Sequence, residues 1–149
     1  MTNNLKNARF CNQYSQIFAH KTLAKQAEMN SVLRELSEEK AQLQQCHKRL
    51  QRANEHFNLG TVMPEVHRAT LNHVATLAVS IDELNMRISE LESQRKSLQQ
   101  ELMLLKLKQQ VTSNKSDQFK RQESARLTQL QEKQLEQLWV INKGNFNRA

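Results

Sequence analysis

Apolar residues recur at heptad spacing along two stretches of this chain, and the short segment between them carries Gly60 and Pro64. A heptad ladder keeps one apolar seam of a helix facing a partner helix. Two ladders separated by one short corner, residues 58–64, predict an all-α fold: a long antiparallel two-helix coiled-coil hairpin. The first ladder comprises Met29, Val32, Leu36, Leu43, Cys46, Leu50, Ala53 and Phe57, and the second comprises Val74, Leu77, Ile81, Leu84, Ile88, Leu91, Leu98, Leu102 and Leu105.

The two predicted helices differ in length. Helix one is expected at about residues 4–57, helix two at about residues 64–142, and a disordered tail at 143–149. Gly60 can end the first helix in a left-handed conformation, and Pro64 suits the first turn of the second helix. A chain of 149 residues is expected to form a single domain.

An alternative architecture has three helices. The stretch from Ser113 to Asp117 is polar, and the Asp117 side chain can cap the start of a separate helix. Helix two would then break near residues 113–117. Because neither Gly nor Pro lies in this stretch, the sequence favours a continuous second helix.

The position of the corner sets the expected pairing of the two helices. A corner near residue 60 or 61 implies that the numbers of paired residues sum to about 121. In that register Val111 meets Phe10, and helix one also contributes Tyr14 and Ile17 to the seam. Helix two then has no partner beyond Val111, and its remaining apolar residues form a stripe that another protein can bind. The predicted binding residues of this C-terminal arm are Phe119, Leu127, Leu130, Leu138, Trp139 and Ile141.

The corner itself carries four apolar side chains, which are Leu59, Val62, Met63 and Val66. The tip of a two-helix hairpin has too little neighbouring structure to bury all four. We therefore expect the corner to be a second docking surface. The alternative is that the four side chains pack on one another as a plug.

Composition narrows the function classes. Apolar residues make up 38% of the chain, below the roughly 45–50% of globular domains, and a two-helix seam needs fewer of them. The net charge is +7, divided as +4 in residues 1–59 and +3 in residues 60–149. This balance favours acidic partners in general. The two cysteines suit a reducing cytosol, and the apolar runs are too short to span a bilayer.

No pattern of catalytic or metal-binding residues is visible in the sequence. The five histidines lack metal-ligand spacing on a helix, although His56 and His67 flank the corner. The basic run Lys106–Arg121 contains one aromatic residue, Phe119, whereas single-strand binders interleave several, so nucleic-acid binding is not favoured. Arg95 interrupts the second ladder, and it is expected to extend out of the seam toward Glu28; the alternative is that it sets the register of the seam. We expect no enzymatic activity, no cofactor and no small-molecule substrate.

Two segments of the second helix resemble a known family. The stretch Ile88–Leu102 is similar to the second helix of the small coiled-coil stalk proteins of type III export systems, the flagellar FliJ family and its injectisome counterparts. The segment Gln131–Trp139 is similar to the late segment of that family, where a Gln-Lys pair precedes an acidic and an apolar residue. Gln137 departs from this pattern, because an acidic residue is expected there.

The resemblance implies a cytoplasmic protein that acts at the inner-membrane export apparatus. In that family the paired helix ends enter the central hole of a hexameric export ATPase, the hairpin tip faces the membrane export gate protein, and export chaperones are further partners. The implied function is non-catalytic. The alternative function from a different class is a structural or nucleic-acid-associated coiled coil, which salt-sensitive binding to polyanions would identify.

Overall fold

The computed structural model describes residues 2–58 and 63–148, with side chains as far as residue 145. Helix α1 spans Asn3–Asn58 and helix α2 spans Pro64–Arg148, and the described residues contain no strand. The two helices pack against each other in opposite directions. The predicted all-α two-helix hairpin with a longer second helix is therefore confirmed.

Local residues explain where the helices begin. The amide of Leu5 donates to Thr2 Oγ1 at 3.4 Å, so the Thr2 hydroxyl caps the first turn of α1. Pro64 is the first residue of α2, as predicted, and the amide of His67 donates to the carbonyl of Met63 at 2.9 Å. The acidic side chain of Glu65 lies in this first turn, where it complements the positive end of the helix.

The chain divides into two compact units. Residues 24–102 form one, here called the corner unit, and residues 1–23 and 103–149 form the other, here called the terminal unit. In the corner unit every residue of the two predicted ladders is buried or half-buried. Its core includes Met29 packed with Leu98 and Leu102. The apolar pattern therefore located this seam correctly.

Three charged residues occupy seam positions within the corner unit: Lys25, Glu39 and Arg95. Glu39 forms an ion pair with Arg87 at 3.6 Å. Arg95 is half-buried, and its guanidinium Nη2 lies 2.9 Å from a carboxylate oxygen of Glu92. The prediction that Arg95 extends toward Glu28 is thus wrong, because an acidic residue one turn earlier on the same helix is closer. Charged groups in a seam disfavour alternative registers.

The seam of the terminal unit consists largely of small and polar residues. The α1 residues that face α2 here are Ala8, Cys11, Ser15, Phe18 and Thr22, all buried or half-buried. Phe10, Tyr14 and Ile17, which were expected in the seam, are exposed. The heptad spacing of buried positions continues unchanged, whereas the apolar residues move to a neighbouring face. The apolar residues alone therefore predicted the wrong face of α1 as the one that packs against α2 at this end.

The most buried contact of the terminal unit joins Ala8 and Ser116, each 2% exposed. The Ser116 hydroxyl donates a 2.9 Å hydrogen bond to the carbonyl of Ala8. Nearby, the Ser15 hydroxyl donates to the carbonyl of Gln109 at 3.5 Å. Small side chains allow the two backbones to approach closely enough for a serine to reach across.

These contacts correct the predicted register. Ala8 pairs with Ser116, whose numbers sum to 124, and Met29 packs with Leu98, whose numbers sum to 127. The pairing is shifted by about one helical turn from the expected sum, and the ring pair Phe57–His67 near the corner has the same sum of 124 as Ala8–Ser116. Helix α1 therefore covers α2 well beyond Val111.

Helix α2 lacks the break near residues 113–117 that the three-helix alternative requires. Ser116 is buried against α1 in this stretch, and the Thr112 hydroxyl donates to the carbonyl of Lys108 at 2.8 Å. The three-helix alternative is thus wrong. The helix also continues to Arg148 instead of ending near 142 in a disordered tail. Lys143 Nζ lies 4.8 Å from the Trp139 ring centre, a contact between successive turns that favours helix at this end.

Candidate partner-binding surfaces

Two of the four apolar residues predicted at the corner are described by the structure, and both are exposed. Met63 is 74% exposed and Val66 is 43% exposed, whereas Leu59 and Val62 lie outside the described residues. A side chain as exposed as Met63 is not packed in a plug. Met63 and Val66 therefore remain candidates for partner binding.

A basic groove lies beside Val66 in the corner unit. It has a volume of about 630 Å³, and its lining includes Arg49, Arg52 and His56 from α1 and His73 from α2. Glu65 is the one acidic residue in the lining. The spacing of Arg49, Arg52 and His56 places all three on one helical face, a signal present in the sequence that the heptad pattern overshadowed.

His56 and His73 both line the basic groove, whereas His67 lies against the Phe57 ring. The His67 and Phe57 rings pack edge-on, with ring centres 4.8 Å apart. Among the residues that the structure describes, no group of three or more His, Cys, Asp or Glu side chains is placed to hold a metal ion. The two free cysteines, Cys11 and Cys46, are both half-buried.

The C-terminal arm begins where α1 stops covering α2. Glu123 is 4% exposed, whereas every described side chain from residue 124 to residue 145 is exposed. Phe119 precedes this boundary and is half-buried, so its assignment to an uncovered arm is wrong. The arm is here defined as residues 124–145. Its exposed apolar residues are Leu127, Leu130, Leu135, Leu138, Trp139, Val140 and Ile141.

The arm carries an apolar stripe with a repeat that differs from the heptad. Leu127 and Leu138 are eleven residues apart, and so are Leu130 and Ile141. Eleven residues make slightly more than three turns, so these four side chains stay on one face of a straight helix. Leu135 and Val140 project away from this stripe, and the sequence pattern did not single them out.

An ion pair marks the start of the arm. Arg126 Nη2 donates to Glu123 Oε1 at 2.8 Å, and a second bond joins Arg126 Nε to Glu123 Oε2 at 3.1 Å. The bond from Arg126 lowers the pKa of Glu123 below its ordinary value, and the side chains of Thr2 and Asn4 lower it further. Burial opposes this shift without reversing it, so Glu123 is held as a carboxylate paired with Arg126.

Two ion pairs in the corner unit also perturb ionisation. The Lys25 ammonium lies 2.9 Å from Glu101, and this bond raises the pKa of Lys25. The Lys40 ammonium donates to Glu92 at 3.1 Å and lowers the pKa of that carboxyl. All four side chains are substantially solvated, so these pairs favour the observed register without anchoring it strongly.

No family model, curated protein or solved structure matches this chain. No helix within the described ranges is long and apolar enough to cross a membrane. The described surfaces carry exposed apolar side chains bordered by charged ones.

Proposed function

We propose that this chain is a non-catalytic coiled-coil component of a bacterial type III protein export apparatus, where it acts as the central stalk of the export ATPase. The observation that carries the proposal is that α2 continues as an uninterrupted helix past Glu123, where α1 no longer covers it. A helix that is apolar on one side and lacks a partner within its own chain is typical of an element that another protein encloses.

The arm has the mixed surface that insertion into a ring of subunits requires. Its apolar stripe, defined above, runs beside the basic side chains Arg126 and Lys133. Apolar contacts would supply most of the binding energy, while the charges would steer the arm into an acidic ring lining. The C-terminal residues add Trp139, which is 63% exposed and is a residue type enriched at binding hot spots.

The corner is the second contact of the proposed stalk. Met63 and Val66 are exposed where the hairpin turns, and the basic groove adjoins Val66. In the proposed function this end meets the membrane export gate protein, and export chaperones are further partners. Replacement of Met63 by Ser should weaken the gate contact without lowering the melting temperature, since the side chain is already solvated.

The test of the stalk assignment is reconstitution with an export ATPase. The full chain should bind a cognate hexameric ATPase and stimulate its hydrolysis, and a chain lacking residues 128–149 should do neither. Circular dichroism should show that the truncated chain still unfolds cooperatively. Normal stimulation by the truncated chain would refute the assignment of the arm.

Single substitutions in the arm provide a matched control. Ile141→Ser alters the apolar stripe, whereas Val140→Ser makes a similar change about 100° around the helix from Ile141, outside the stripe. Both side chains are exposed to a similar degree, at 57% and 61%. The proposal predicts that Ile141→Ser reduces ATPase stimulation at least tenfold more than Val140→Ser, since a buried aliphatic side chain contributes roughly 1.5–3 kcal/mol. Equal losses would mean that the stripe is not the contact face.

A further inference from the structure

The excess of basic over acidic side chains in this protein lies in the terminal unit. Residues 2–23 and 103–122 carry eight Lys and Arg side chains against a single acidic one, Asp117. Residues 24–102 carry ten basic and eleven acidic side chains and are almost neutral. The paired part of the terminal unit therefore holds a net charge of +7, which equals that of the whole chain.

The heptad positions show how these charges are arranged around the helix pair. With Ala8 and Ser116 at position a of their helices, the residues at positions c and g of both helices lie on the same side, because the helices are antiparallel. We call this side the basic-apolar face. Its members are Phe10, Tyr14, Ile17 and Lys21 on α1 and Leu104, Lys108, Val111 and Lys115 on α2.

Contacts on this face agree with the placement. The rings of Phe10 and Tyr14 are 4.7 Å apart, and the Lys108 ammonium lies 5.8 Å from the Phe18 ring centre, so a g-position lysine of α2 covers the α1 seam edge. The apolar members are well exposed, from 43% for Tyr14 to 59% for Phe10. The face contains no acidic side chain.

We propose that the basic-apolar face docks on an anionic lipid bilayer, with the helix pair lying along the membrane surface. Large apolar side chains bordered by lysines are the combination that binds such a surface, since the apolar groups enter the interface while the cations meet lipid headgroups. The lysine stems extend past the apolar side chains to place their charges among the phosphates. This inference does not depend on the stalk function.

The composition of the face favours lipid over single-stranded nucleic acid. Base stacking requires accessible aromatic rings, and the face exposes two, Phe10 and Tyr14. The Phe18 ring is half-buried and already covered by Lys108. Aliphatic side chains such as Ile17, Leu104 and Val111 bind acyl chains well and stack on bases poorly.

The test is sedimentation of the full chain with vesicles of phosphatidylcholine, with and without about 30 mol % phosphatidylglycerol. Two double variants remove the same charge from opposite sides: Lys21→Gln with Lys115→Gln on the basic-apolar face, and Lys106→Gln with Lys120→Gln at position e. The first pair should weaken binding to anionic vesicles about 25-fold, at about fivefold per lysine. The second pair should weaken it less than about fivefold.

A second pair of variants tests the apolar contribution and keeps the lysines intact. Ile17→Ser should reduce vesicle binding about tenfold, whereas Leu23→Ser, an exposed residue on the opposite side, should leave it nearly unchanged. Both positions are solvated, and circular dichroism checks that each variant is folded. Equal effects within either pair, or no binding to anionic vesicles, would overturn the proposal. A different result would also overturn the proposal: the chain binds an oligothymidylate of about 20 nucleotides tightly, the Phe10→Ser variant does not, and neither binds vesicles.

Discussion

Replacement of Ser116 by Leu should separate the two helices of the terminal unit. Ser116 is 2% exposed, and its hydroxyl donates to the carbonyl of Ala8, which is also 2% exposed. Leucine removes the hydrogen bond, which contributes about 0.5–1.5 kcal/mol, and it inserts two additional heavy atoms where no space remains. Overpacking of this kind costs about 1–3 kcal/mol. The expected total is about 2–4 kcal/mol of unfolding free energy.

The matched control is Ser113→Leu, the same substitution one turn earlier at an exposed position. It should change the unfolding free energy by less than about 0.5 kcal/mol. Urea unfolding followed by far-ultraviolet circular dichroism measures both variants, and Ser116→Ala should fall between them because it loses the hydrogen bond without overpacking. If Ser116→Leu and Ser113→Leu were equally mild, α1 would not approach α2 at this level, and the register derived from Ala8 would be wrong.

Leu84→Ala should lower the unfolding free energy by about 2–4 kcal/mol, since Leu84 is 3% exposed, whereas Leu71→Ala, at 51% exposure, should lower it by less than about 1 kcal/mol in the same urea assay. The pKa of Glu123 is lowered in the folded chain, so its contribution to stability is present above its ordinary pKa of about 4.5 and is lost as the pH falls through the lower folded-state value. The Glu123→Gln variant should therefore lose less unfolding free energy on acidification than the unchanged chain. An identical acid dependence in both would mean that the Glu123 carboxylate is not bound. Deletion of residues 128–149 should leave the melting temperature within a few degrees of the full chain, and collapse of the hairpin would show that the arm folds back on it.

The apolar pattern predicted the corner unit well because its seam is made of large aliphatic residues. Leu36, Leu77 and Leu84 bury their side chains at heptad positions, and such positions can be read directly from the chain. Pro64 marked the start of α2 for an equally local reason, since proline suits a first turn. These features depend on residue type alone.

The terminal unit could not be predicted in the same way. Its seam uses Ala8 and Ser116, and small or polar residues give no apolar signal. The exposed residues Phe10 and Tyr14 suggested the wrong face for this part of α1. The seven-residue spacing of buried positions, continued from the first ladder through Thr22 to Ala8, was the signal that would have located the seam.

The basic-apolar face depends on both helices and was hidden for the same reason. The sequence shows a basic run near Lys108 with one aromatic residue close to it. Pairing in the observed register brings Phe10 and Tyr14 from the other helix onto the same side. Residues more than ninety positions apart meet only once the register is known.

Amide hydrogen exchange along α2 measures whether α1 covers α2 as far as Glu123 and leaves the arm uncovered. Helices without tertiary packing open readily, so exchange should be slow from Val74 to Glu123 and much faster from Leu127 to Ile141. Protein concentration should not alter this profile. Slow exchange that continues through Leu138 at low concentration would instead show that the arm is already covered within its own chain and is not free for a partner.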